Sequence, residues 1–123
     1  MHKRSIICDT NIIAYFFEGN KEAGKIISLS DVIISSITFI EALSNNKIPV
    51  SKRELMEDFL KSLTIIETNP LINKIAIDFR IQYSLDTPDA IIAATAMKYQ
   101  LPFVTADKGF TRIEGLNLFL LEL

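Results

Sequence analysis

Ser5-Ile6-Ile7-Cys8-Asp9-Thr10-Asn11 is a short β-branched run that stops at an acid, and the residues after it, Ile12 to Phe17, suit a helix. A run this short, apolar at its centre and closed by a polar residue, is the pattern of a strand buried on both faces. The same pattern recurs at Val32 to Ser35, Thr64 to Glu67, Phe103 to Thr105 and Leu118 to Leu121. Helical patterns fill most of the gaps. Ser51, with Glu54 three residues on, forms a capping box for a helix expected to bury Leu55, Met56, Phe59, Leu60 and Leu63. Pro70 opens another, with Ile72, Ile75, Ala76 and Phe79 on one face. Thr87 and Pro88 read as N-cap and first position of an Ala-rich helix running to about Tyr99, in which Ala93, Ala94 and Ala96 permit close packing. Strands alternating with helices pair in parallel and are covered on both faces. The expected fold class is α/β: a three-layer α/β/α sandwich with a mostly parallel sheet of four or five strands, forming one domain over residues 1–123.

Composition excludes several classes. With 49% hydrophobic residues in 123 positions the chain has ample material for a core, so disorder is not its main state. Asp9, Glu18, Asp31 and Glu41 interrupt every stretch that might cross a bilayer, and Asp9 also breaks any signal-peptide apolar segment. The expectation is a soluble cytoplasmic protein without membrane association. Cys8, the single cysteine, excludes an internal disulfide framework and is read as a small buried strand residue. Thirteen basic against 15 acidic side chains give a net charge of −2, which does not by itself suggest a nucleic-acid partner.

The acids tell a different story. In open parallel sheets, sites form beyond the carboxyl ends of the strands, where helix N-termini also point. Asp9 directly follows the first strand and Asp107 follows Phe103 to Thr105; Glu41 lies near the start of the helix after Val32 to Ser35, and Asp89 sits in the first turn of the helix opened by Pro88. Each has a structural alternative: Asp9 an N-cap, Glu41 the end of a capping box with Thr38, Asp89 a complement to the helix dipole, Asp107 a cap for the turn through Phe110. Together they are harder to explain that way. Glu41 lies among Ile37, Phe39, Ile40 and Leu43, where an acid is out of place unless it faces something polar.

Clustered carboxylates repel one another, and Lys108 is the only basic residue adjacent to any of the four. A hard divalent cation, Mg²⁺ or Mn²⁺, would relieve them, whereas His2, the only histidine, rules out a histidine-rich zinc site. Carboxylate-held magnesium mostly serves phosphate chemistry, which points to a phosphate ester as substrate. Without the four acids the remaining side chains would carry +2, and Lys3, Arg4, Lys47, Lys52, Arg53, Lys108 and Arg112 are candidates to hold a nucleic-acid backbone.

Asp9-Thr10-Asn11, the Ser36 to Leu43 segment with Glu41, the run Asp89-Ala90-Ile91-Ile92-Ala93-Ala94-Thr95-Ala96, and Leu101-Pro102-Phe103-Val104-Thr105-Ala106-Asp107-Lys108-Gly109-Phe110 resemble, in that order, the PIN-domain ribonucleases. More narrowly they resemble the VapC toxins of toxin–antitoxin modules. The resemblance implies a magnesium-dependent endoribonuclease that cuts single-stranded or looped RNA and is inhibited by a partner antitoxin. It also implies that Asp9, Glu41, Asp89 and Asp107 form the acidic metal-binding quartet, supported by Thr10, Asn11 and Thr105. Ala106 stands where many relatives carry a basic residue, and Asp86 adds an acid near Asp89 that is either an outer ligand or surface.

Three rivals are weighed. A haloacid-dehalogenase-type phosphatase needs a second Asp where Asn11 stands. A receiver domain needs paired acids after the first strand and an acceptor Asp after the third, where Glu67-Thr68-Asn69 is found. A catalytically idle PIN fold that only binds a partner is compatible with the sequence. Finally, a mean hydropathy of +0.27 and the apolar Ile12, Ile13, Tyr15, Phe16 and Phe17 suggest an exposed interface. A homodimer and a groove for an amphipathic antitoxin segment are expected.

Overall fold

Period-two alternation divides the strand side chains between two cores. Ile6, Cys8, Val32, Ile34 and Val104 enter one buried cluster, while Ile7 and Phe103 enter the other, on the opposite face of the sheet. The computed structural model describes residues 3–123; His2 lies outside the described residues. Its elements are β1 (Arg4–Cys8), α1 (Thr10–Phe17), α2 (Lys21–Ser28), β2 (Ser30–Ser35), α3 (Ser36–Leu43), α4 (Val50–Lys61), β3 (Thr64–Ile66), α5 (Pro70–Tyr83), α6 (Thr87–Tyr99), β4 (Phe103–Thr105), a 3₁₀ turn (Lys108–Phe110) and β5 (Leu118–Leu120). All five expected strands form, and all pair in parallel. Residues of α1 to α4 pack on one face and residues of α5 and α6 on the other, giving the expected three layers.

The strand order is β3-β2-β1-β4-β5. This places the topological switch point between β1 and β4, where the order reverses and a crevice opens beyond the strand ends. A receiver domain has order 2-1-3-4-5, so the sheet itself removes that rival.

Several local expectations are corrected. Ser51 does not cap α4: the helix begins at Val50 behind Pro49, which makes no side-chain cap, and Lys52 N–H already bonds Pro49 O at 2.9 Å. Ser51 is thus inside the first turn. Leu55 is 63% exposed, because Met56 and Leu60, four residues apart, define the inward face and Leu55 is turned about 100° away. The N-cap of α6 is Asp86, one residue before the expected Thr87, since the Asp86 carbonyl already accepts from Ala90 N–H at 2.9 Å. Ser35 caps α3 through Ile37 N–H at 3.1 Å, so Thr38 and Glu41 are interior residues of the helix and no capping box.

α1 also differs from its expectation as an exposed interface. Ile12 and Ile13 are fully buried, and Phe16 and Phe17 pack on Phe59 of α4 with ring centroids 5.2 and 5.5 Å apart. Only Tyr15 of that set is exposed. An apolar face on a short helix cannot by itself distinguish a partner from its own domain.

Gln100 ends α6 in the left-handed region, at φ 52°. Its Cβ is strained there, so Gln100→Gly is expected to raise stability by about 1 kcal/mol, read as a higher urea midpoint at unchanged m-value. No gain would show that the side chain offsets the strain.

Candidate active site

Polar groups lace the switch-point crevice together. The Asp9 N–H leaves the sheet by bonding Val104 O at 2.9 Å. Above it, the buried Thr105 hydroxyl donates to Asp9 Oδ2 at 2.6 Å and accepts from Asp107 N–H at 3.0 Å. Asn11 completes the seam, accepting from Ala106 N–H at 3.3 Å and reaching Thr105 Oγ1 at 3.5 Å. Asp9 is also the N-cap of α1, with Oδ1 accepting from Thr10 N–H at 2.8 Å. Capping and site-building are therefore the same position, because an acid at a strand end that begins a helix faces both.

Asp107 is exposed and caps the turn through Phe110, accepting from Gly109 N–H at 2.8 Å. A Cβ on Gly109 would lie 3.1 Å from that carboxylate, a tight contact that would require the Asp107 side chain to give by a few tenths of an ångström. Glu41 is half-buried on α3, its Oε1 held by the Thr10 hydroxyl at 2.8 Å. Asp89 stands half-buried in the first turn of α6.

Asp9 and Asp89 both feel neighbouring acids. Burial, opposed by the hydrogen bonds from Thr105 and Thr10, pushes the Asp9 carboxyl up to about 6, and the charges of Asp89 and Glu41 add to this. Asp89 is likewise raised, first by burial and then by the charges of Asp107, Glu41 and Asp86. Asp86 is exposed at the head of α6, so it acts on Asp89 through charge. Among the described residues the one ion pair is Lys61 with Glu57, so no basic side chain is paired with any of the quartet.

The donor set is all hard oxygen: carboxylates, with hydroxyls beside them. Cys8 contributes nothing softer, since burial pushes its thiol up to about 12 and keeps it protonated. The chemistry fits a hard divalent cation and not zinc. Among the described residues, however, no three Asp, Glu, His or Cys side chains converge into a ready-made cage. Asp9, Glu41 and Asp107 are each held by a separate hydrogen bond, from Thr105, Thr10 and the Gly109 N–H.

Two expected contacts fare differently. Lys108 is exposed beside Asp107. Arg112 is committed elsewhere, donating to Tyr83 O at 2.6 Å and Gly109 O at 3.4 Å, so it clamps the Asp107 turn to the end of α5 rather than standing free. Sequence reasoning missed one group, Thr38, whose hydroxyl lies 3.2 Å from that of Thr10. The available signal was a hydroxyl three residues before Glu41 on one helix face.

Comparison with known proteins returns a single family. The family model of the PIN domain matches residues 6–116. No curated protein sequence matches. Among solved structures, a toxin–antitoxin complex from Klebsiella pneumoniae contains a chain 30% identical, with 93% of this chain and 95% of that one covered at a TM-score of 0.77. VapBC2 from Rickettsia felis, bound to a DNA fragment from its promoter, is 23% identical, with 96% and 99% covered and a TM-score of 0.81. DNA-bound VapBC from Salmonella typhimurium is 21% identical, with 96% and 98% covered and a TM-score of 0.79. The last two speak to the fold alone.

Proposed function

Because this chain belongs to the PIN-domain family, we propose that it is a metal-dependent endoribonuclease that hydrolyses RNA phosphodiester bonds and serves as the toxin of a toxin–antitoxin pair. The observation that carries this is the quartet Asp9, Glu41, Asp89 and Asp107 at the switch point: Glu41 and Asp89 act on Asp9, Glu41 and Asp107 act on Asp89, and among the described residues no basic side chain is paired with any of them. A protein that only bound a partner would have no use for such costly repulsion, which disfavours the idle-scaffold alternative. All 123 residues are read as one nuclease domain acting in the cytoplasm; among the described residues no helix is long and apolar enough to cross a membrane.

The quartet would hold Mg²⁺, with Mn²⁺ as a substitute. The bound ion supplies Lewis acidity toward a phosphoryl oxygen and lowers the proton affinity of water. The chain's own side chains do the rest. Thr105 and Asn11 fix Asp9 against β4, Thr10 fixes Glu41, and the Gly109 turn fixes Asp107. Lys108 is available to meet the RNA backbone, while Arg112 holds the turn that carries it. The described residues contain no histidine to pair with a Ser or Cys, and hydrolysis is read as direct attack of water without a covalent enzyme intermediate. Incubation of a structured RNA with Mg²⁺ and then with EDTA tests this. Cleavage confined to the Mg²⁺ arm supports the assignment, and none in either arm refutes it.

Two partner surfaces follow. A groove of about 190 Å³ between α1 and α4, lined by the apolar Ala14, Phe17, Ile48 and Met56 and by the charged Glu18, Lys47 and Lys52, suits an amphipathic antitoxin segment. α5 suits a second copy of the chain. Its outward face carries Leu71, Ile77 and Ile81, which are 51%, 56% and 79% exposed, together with Lys74 and Asp78. The stripe is self-complementary: antiparallel pairing about a two-fold axis sets Lys74 against Asp78 and Leu71 against Ile81 of the other copy. Lys74→Glu is expected to weaken the dimer by about tenfold or more, and Lys74→Glu with Asp78→Lys to restore it, as read by sedimentation. A dimer unaffected by either change would put the interface elsewhere.

A further inference from the structure

Thr38 is fully buried in the first turn of α3, where the carbonyl four residues earlier belongs to Ile34 of β2 and not to its own helix. Thr95, deeper in α6, has such a carbonyl and donates to Ile91 O at 2.7 Å. The hydrogen bond of the Thr38 hydroxyl among the described residues is with the Thr10 hydroxyl, 3.2 Å away. Thr10 has one hydroxyl proton and two neighbours competing for it, Thr38 and the Glu41 carboxylate at 2.8 Å. The shorter contact takes the Thr10 proton to Glu41 Oε1, and a hydroxyl has only one, so the Thr10 oxygen is left to accept from Thr38. The result is a directed chain, Thr38 to Thr10 to Glu41. It links α3 to the start of α1 and returns to α3 one turn later, since Thr38 and Glu41 lie three residues apart on one helix face.

We infer that Thr38 is a positioning residue for the metal-binding carboxylate of Glu41, acting through Thr10. This rests on the metal-dependent reading of the quartet. Glu41 has three side-chain torsions, and only Oε1 is tied down among the described residues. Held by Thr38, the Thr10 hydroxyl gives that tie a fixed direction, and the Glu41 charge so placed is felt by both Asp9 and Asp89. If Thr38 were merely core filler, valine would serve as well, because it keeps the branch and the volume and lacks only the hydroxyl.

Thr38→Val and Thr38→Ser separate the two. Mn²⁺ affinity is measured by titration calorimetry on the full chain, with a melt confirming that each variant is folded. Thr38→Val is expected to raise the Mn²⁺ dissociation constant by about threefold to tenfold, at or below the lower end of the effect of losing a hydrogen bond made directly to a ligand because the Thr10 bond to Glu41 remains, and Thr38→Ser to recover most of the loss. Unchanged Mn²⁺ affinity in Thr38→Val overturns the inference. Equal weakening in both variants also overturns it, since retaining the hydroxyl would then give no protection and packing around the position would account for the loss. If Thr38→Val does not fold, Thr38→Ala in wild-type and Thr10→Val backgrounds reads the same chain: it should weaken Mn²⁺ binding in the first and change it no further in the second, and an equal loss in both backgrounds counts against it. A wild type that binds no Mn²⁺ removes the metal-dependent reading itself, an outcome distinct from a wild type that binds and a Thr38→Val that binds equally well.

Discussion

With Mg²⁺ present, Asp9→Asn and Asp89→Asn are each expected to lower the rate of RNA cleavage by about a hundredfold to a thousandfold while leaving the protein folded. The size follows from the several kcal/mol that metal-assisted stabilisation of a phosphoryl transition state contributes, at 1.36 kcal/mol per tenfold in rate. Folding should survive because the amide oxygen that Asp9→Asn introduces can still cap α1 in place of Asp9 Oδ1, and Asp89 makes no hydrogen bond within the described residues that the fold depends on. Asp107→Asn should fall less than Asp9→Asn, since Asp107 is exposed and its removal disturbs only the turn through Phe110. Rates near wild type in both Asp9→Asn and Asp89→Asn, after contaminating nuclease is excluded, would sink the nuclease assignment.

The metal-free protein should lose stability as the pH rises from about 4 to about 6, and Mn²⁺ should reverse this. The Asp9 carboxyl is pushed up to about 6 in the fold from an ordinary value of 3.8. Between those two values the folded state binds more protons than the unfolded one, so stability declines with rising pH and is level above the upper value. For one group the whole change is at most about 3 kcal/mol. Asp9→Asn should remove most of the slope, and the wild-type minus Asp9→Asn difference across pH 4 to 7.5 isolates it from other carboxylates. A divalent cation favours the ionised forms, so the stabilisation it gives should instead grow with pH. At about 100 times the dissociation constant, it amounts to about 2.7 kcal/mol, on the order of 10 °C in melting temperature for a domain of this size. Asp89→Asn should leave the metal-free protein at least as stable and shrink the gain from Mn²⁺. If the four acids were only helix caps, neither the Mn²⁺ shift nor its dependence on Asp89 would be seen. Each Ala variant would then cost about 1 kcal/mol with or without metal.

Strand identity was legible in the sequence because it depends on local composition. Five short β-branched runs separated by helical patterns allow little besides a covered parallel sheet, and Ile6, Ile7 and Cys8 alternate between two cores as such a run must. The positions of the acids were legible too, since a carboxylate at the end of a buried strand or inside an apolar helix has few other reasons to be there. Helix starts were read less well. Pro49 and the Asp86 carbonyl set the first turns of α4 and α6, and backbone geometry overrode the side-chain signals of Ser51 and Thr87. The sequence could not show which apolar faces turn inward. Periodicity identifies a face but not what covers it, so Phe16 and Phe17 went to Phe59 while Ile77 and Ile81 were left outside. Nor could it assign Arg112 to the Tyr83 carbonyl or Thr38 to Thr10, because those partners lie 29 and 28 residues away along the chain. The sequence by itself thus determined the strands, their parallel pairing and the kinds of side chain at their ends. Only the tertiary structure decided which of those side chains meet, because hydrogen-bond partners across a switch point are set by strand order, and strand order leaves no mark on local sequence.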